Sequence, residues 1–243
     1  QKAWTALWWF NDPDEAARIY DLLAPEVLPS DWIWDIDDLV NLWFALQTGK
    51  APDETRTSAL RDALLRHAND NSKETSSLWA QTQLLQMDLV AAMRAKRDLQ
   101  PSLAAMRQIF GKVRRQIEFP IEPVVRIVRE LAKFIGDSPG YDELLDAVIE
   151  IERERNGDRA AGELRLQRGL QKLERKKAYD AIDDLAQAQI LLAQEDSRDE
   201  FIAALCGTGL AYESAGLLYA ARANLVSALD RCLYSWFKAC LSG

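Results

Sequence analysis

The chain has 243 residues, 48% of them apolar, with only 11 glycines and 8 prolines and a formal net charge of −8. A composition this rich in helix formers and this poor in turn residues excludes a disordered chain and a β-sandwich, and predicts an all-α protein. The acidic balance, with a pI near 4.9, argues against the broad basic field that phosphate backbones attract, so nucleic acid is not expected as a primary partner.

Helix signals run from one end to the other. The opening run AWTALWWF is apolar and Trp-rich with no initiating Met, and it reads as the interior of a helix in a chain excised from a larger protein. Asp12-Pro13 opens a helix over 14–23, Ser30 caps one over 31–47 that ends at Gly49, and Pro52 leads one that reaches His67. Longer helices are predicted over 72–97, 101–119, 123–135, 141–155 and 158–176, followed by 178–195, 198–215 and 217–241. If the second helix of each hairpin starts near residues 14, 53, 101, 141, 179 and 218, the intervals are 39, 48, 40, 38 and 39. The reading is one helical-repeat domain over 1–243, with Trp-rich hairpins over 1–71 and a further series over 72–243.

The sharpest local pattern lies near the C-terminal end, where Leu205, Gly209, Tyr212, Gly216, Ala221, Leu225 and Ala228 follow one another at spacings of 4, 3, 4, 5, 4 and 3. Gly209 and Ala221 are small where two antiparallel helices approach closely, Gly216 sits in the turn, and Leu205, Tyr212 and Leu225 fill the wedge. The segment resembles one tetratricopeptide (TPR) repeat, with departures at Thr208 and Leu233. The resemblance implies a right-handed superhelical α-solenoid of about six antiparallel hairpins, whose usual business is holding other proteins. Echoes of the second-helix pattern occur at Ala181, Leu185 and Ala188 and at Ala16, Tyr20 and Leu23, although the first helix of the 158–176 unit must shift by one residue to match.

Most of the eight tryptophans read as core, with seven of them at or before Trp79. Trp34 is the exception: it projects among Asp37, Asp38 and Asn41 on the polar side of its helix, as an anchor for a partner or a contact with an adjacent repeat. The same helix carries Asp31, Asp35, Asp37 and Asp38, but DDxxD spacing is not met, and acids at a helix N-terminus followed by a solvated face account for them. Arg165, Arg168, Lys172 and Arg175 gather four cations within roughly 80° of one helix surface. They are either a solvated face paired with the acids of 141–155 or a groove lining that docks an acidic peptide.

His67 is the only histidine, which removes multi-histidine metal sites, and its place near a helix C-terminus needs no function. Cys206, Cys232 and Cys240 have no metal-site spacing, and an odd count gives no complete disulfide framework, so a reducing cytoplasm is expected. No phosphate-binding glycine motif, signal peptide or membrane span is read, and no cofactor or metal is expected. The expected function is protein recognition or scaffolding, as the sensor arm of a larger, bacterial, signal-transducing protein, with a protein or peptide partner and no chemistry of its own. The alternatives are a receptor domain that encloses a short peptide or small effector, and a metal-dependent all-α enzyme built on Asp35 to Asp38.

Overall fold

The computed structural model describes residues 2–23, 33–50, 53–70, 72–138, 140–194 and 197–242, with the side chains of 8, 23, 33–35, 130, 133–134 and 235–242 outside that description. Among the described residues there are eleven α-helices and no strand, as the composition predicts. They are α1 Lys2–Trp8, α2 Pro13–Leu23, α3 Ile33–Thr48, α4 Glu54–Ala68, α5 Glu74–Arg94, α6 Gln100–Val113, α7 Ile121–Ile135, α8 Tyr141–Glu174, α9 Ala178–Leu191, α10 Arg198–Ser214 and α11 Leu218–Ser242. No helix among the described residues is long and apolar enough to cross a membrane.

Local chemistry sets the ends. Asp53 caps α4, its side chain accepting from the Arg56 backbone N–H at 2.9 Å. The α6 helix stops at Val113 rather than continuing to Phe119 as expected, because Phe119 precedes Pro120 and is turned into the core, edge-on to Trp79 with ring centroids 5.6 Å apart. The helices expected over 141–155 and 158–176 are joined as α8, broken at Gly157 by a φ of 87°.

The chain forms two compact units, Gln1–Leu144 and Leu145–Gly243. The internal division expected between residues 71 and 72 falls inside the first unit, where α4 and α5 pack on each other. The core of the first unit is built on Trp79, Phe110, Phe119, Leu64, Leu103 and Met106, and the Tyr141 hydroxyl donates to the Val128 carbonyl at 2.9 Å. Trp43 and Trp79 are core residues, but Trp4 and Trp9 are exposed. Trp8, Trp32 and Trp34 lie outside the described side chains, and Ser30 outside the described residues.

In the second unit, α10 packs between α9 and α11. The part of α8 beyond Gly157 and α9 form one hairpin, and α10 and α11 form another, related by an offset of 40 residues. Gly169, Ala181, Leu185 and Ala188 answer to Gly209, Ala221, Leu225 and Ala228. A Cβ on Gly169 would lie 2.6 Å from Leu185 Cγ, and one on Gly209 would lie 2.7 Å from Leu225 Cγ, so both glycines mark the same close approach. No shift of register is needed, which corrects the expectation for the first helix of that hairpin.

The turns repeat too. Lys176 and Gly216 both have positive φ, at 62° and 77°. The N–H of Lys176 donates to Leu173 O and that of Lys177 to Lys172 O, while Gly216 donates to Glu213 O and Leu217 to Tyr212 O. This is the Schellman arrangement, which satisfies the last free carbonyls of a helix. It recurs after α5, where Lys96 at φ 50° donates to Met93 O and Arg97 to Ala92 O, 80 residues before Lys176. At Gly136, on the same multiple of 40, α7 ends without it, with φ at −62°.

Candidate functional site

The basic strip of α8 is turned inward, which corrects the reading of it as an open, solvated or peptide-binding surface. Asp184, on α9, is buried among the Ala and Leu that line that helix. Arg168 meets it with two nitrogens, Nε at 2.8 Å from Oδ2 and Nη2 on Oδ1. Lys172 Nζ lies 2.9 Å from Asp184 Oδ2 and Arg165 Nη1 3.1 Å from Oδ1. Asp146, on the first part of α8, closes the cluster at 2.9 Å from Arg168 Nη2, so the expected pairing with the acids of 141–155 is met at Asp146. Arg175, just beyond the end of α8, is half-buried.

Burial pushes the Asp184 carboxyl up, but hydrogen bonds and charge from Arg168 and Lys172 outweigh it and hold the group below the ordinary carboxylate range. Burial likewise works to lower the Arg168 value, and Asp184 and Asp146 reverse it. A carboxylate satisfied in this way by three cations has no lone pair left to offer a ligand, and Arg168 is buried, so the cluster is an internal lock.

In the next hairpin the corresponding positions are neutral. Thr208 stands for Arg168 and Asn224 for Asp184, and the Gln189 amide of α9 donates to Thr208 Oγ1 at 2.6 Å and to Asn224 Oδ1 at 3.2 Å. Gln189 thus faces the neighbouring hairpin. Its counterpart 40 residues on is Leu229, which is 56% exposed. The same holds along the helix: Ala178, Leu185 and Leu192 are buried, whereas their counterparts Leu218 and Leu225 are 65% and 38% exposed and Cys232 is exposed. With Val226 and Leu233 these residues form an apolar stripe on α11 about 120° wide. Leu225 therefore touches Gly209 but does not fill a closed wedge as expected, and Tyr212 is half-buried, while Leu205, Ala221 and Ala228 are buried as read.

Asp37 and Asp38 are not on a solvated face. Asp37 accepts from Trp79 Nε1 at 2.9 Å on α5, and Asp38 accepts from the Tyr20 hydroxyl at 3.1 Å on α2. Burial, only partly offset by the Trp79 hydrogen bond, raises the Asp37 pKa to about 6, and burial and Asp38 together raise that of Tyr20. Among the described residues no group of three or more His, Cys, Asp or Glu side chains could hold a metal ion. Asp31 is outside the described residues, and for Asp35 and Trp34 only the helix backbone is described. Asp184 and the α11 stripe are the features that sequence reasoning missed. An acid interrupting the Ala181, Leu185, Ala188 face and the constant offset of 40 from Gly169 to Gly209 were the available signals.

No family model matches the chain, and no curated protein matches it at a significant level. Among solved structures, the crystal structure of BtubC (BKLC) from P. vanneervenii aligns with 95% of this chain and 88% of its own at 14% identity and a TM-score of 0.48, too distant to inform function.

Proposed function

We propose that the chain is a protein-recognition scaffold, a TPR-like right-handed α-solenoid that works by docking helices and performs no chemistry of its own. The observation that carries this reading is the apolar stripe of α11. In the preceding hairpin, where α10 packs on α9, Ala178, Leu185 and Leu192 are buried, whereas their counterparts Leu218, Leu225 and Cys232 face outward. Each hairpin of a solenoid buries its apolar face only against a neighbour, so an exposed copy of that face is a prepared seat for another helix. The free thiols of Cys206 and Cys232 suit a reducing cytoplasm as the place of action. The basic helix is not the docking surface in this reading, because its cations are engaged within the fold.

Affinity capture from a nuclease-treated lysate of the source cells, with the wild-type chain beside Leu229→Glu/Leu233→Glu, tests the proposal. Both leucines are more than half exposed, so the variant keeps its fold, as helical circular dichroism will verify. A protein retained by the wild type and lost from the variant is expected. Equal retention by both places recognition on another surface, and retention of nothing by either removes the support for a scaffold.

A further inference from the structure

We propose that Asp37 is a proton-operated latch between α3 and α5, which grips when its carboxyl is protonated and slackens when it ionises. The latch lies in the first unit and does not involve the α11 stripe.

The acid pair on α3 carries the inference by its geometry. Asp37 and Asp38 are half-buried on a helix whose neighbouring Ile36, Leu39 and Val40 are buried. Each is met by a neutral donor: Trp79 Nε1 of α5 lies 2.9 Å from Asp37 Oδ1, and the Tyr20 hydroxyl of α2 lies 3.1 Å from Asp38 Oδ1. Trp79 cannot follow a carboxylate that swings towards water, because its ring is buried edge-on against Phe119. Burial is the largest influence on Asp37 and opposes its ionisation; the Trp79 hydrogen bond favours it, the Asp38 charge opposes it, and the exposed Arg126 of α7 favours it least strongly. Asp184 shows the alternative, an acid that collects three cations at ion-pair distance. Among the described residues Asp37 has no such partner. An asparagine would accept the same indole hydrogen bond at every pH. What the carboxyl adds at this position is the capacity to take up a proton. The Trp79 N–H is served by both forms, since a carboxylic acid still offers its carbonyl oxygen.

Linkage gives the direction. Asp37 stands at about 6 in the fold against 3.8 for the free side chain, so the folded unit holds the proton more tightly than the unfolded chain does. The stability this contributes is complete below the free value and is lost as pH rises through about 6. Asp184, held low in the second unit, responds in the opposite sense. A shift of this size makes opening of the α3–α5 contact about tenfold rarer at pH 5 than at pH 7.5.

The test takes two readings on the whole chain. Carbon NMR of the aspartate carboxyls, with Asp37 assigned by the signal lost in Asp37→Asn, is expected to give a midpoint of about 6. Arg126→Gln is expected to move that midpoint up and Asp38→Asn to move it down. Arg126 is exposed, so its variant decides the titration even where Asp37→Asn does not fold. Amide hydrogen exchange read by mass spectrometry, corrected for the intrinsic rate at each pH, is expected to show α3 and the Trp79 turn of α5 about tenfold better protected at pH 5 than at pH 7.5. Asp37→Asn is expected to be protected equally at both. An Asp37 midpoint of about 4, the ordinary aspartate value, or one unmoved by either neighbouring variant, overturns the proton site. Protection that falls in acid, or that keeps its pH dependence in Asp37→Asn, overturns the latch.

Discussion

The two hairpins of the second unit share glycine, alanine and leucine positions at a constant offset, yet one is locked and covered and the other is neutral and open. In the first, Asp184 draws three cations into the space between helices, and Leu185 is wholly buried. In the second, Thr208 and Asn224 are joined through the Gln189 amide, and Leu225 stands more than a third exposed. Shared small residues fix how closely two helices approach. What lies beyond them is set by whether a neighbour exists to be buried against, and so the same pattern yields core in one copy and surface in the next.

The largest difference should appear at Asp184. Its replacement by Ala leaves Arg168 buried beside Arg165 and Lys172 with one fewer counter-charge, a change expected to cost about 3–5 kcal/mol. Asn224→Ala, which removes neutral hydrogen bonds only, should cost about 1 kcal/mol. Urea unfolding of the two variants checks this, and equal losses would deny that the first hairpin is locked by charge. The pH dependence follows from the direction of the shift. A carboxylate held below its unfolded value contributes stability above the ordinary carboxylate range and loses it as pH falls through that range and below, so the gap between wild type and Asp184→Ala should narrow in acid.

Next in size is the covered leucine. Leu185→Ala opens a cavity between α9 and its neighbours and is expected to cost about 2–5 kcal/mol. Leu225→Ala removes a side chain already partly in water and is expected to cost about 1 kcal/mol in the isolated chain. Urea unfolding of the two variants checks the difference, and equal losses would deny that Leu225 stands partly in water.

Much of this contrast was legible in the sequence at short range and lost at long range. Gly209, Ala221 and Gly216 were placed correctly because close approach and a left-handed turn each demand a particular residue type. Helix ends were placed to within a few residues for the same reason, except where tertiary packing turned Phe119 into the core and ended α6 early. The basic strip was visible as a face of α8, but a helical wheel cannot say which neighbour covers a face. The answer lay 16 residues from Arg168, at Asp184 on the next helix. Asp37 and Asp38 illustrate the same limit: their separation to different sides was readable from spacing, whereas Trp79, 42 residues away, decides that Asp37 is buried and its pKa raised to about 6.

The smallest expected effect isolates why the repeat itself was hidden. The first hairpin turns at Lys176 with the same positive φ that glycine supplies at Gly216, so the turn residue that would have announced the offset of 40 is absent from the sequence. An L-residue in that conformation brings its Cβ against the carbonyl that follows, and glycine relieves the contact at some cost in unfolded-chain entropy. Lys176→Gly should therefore stabilise the chain by about 0.5 kcal/mol, and Gly216→Ala, with nothing within 4 Å of its new Cβ, should destabilise it by about 1 kcal/mol through backbone strain alone. Changes of the same sign in the two variants would mean that the turns differ in more than residue type. Opposite signs would establish that one backbone device closes both hairpins, leaving the cover over their outer faces as the difference between them.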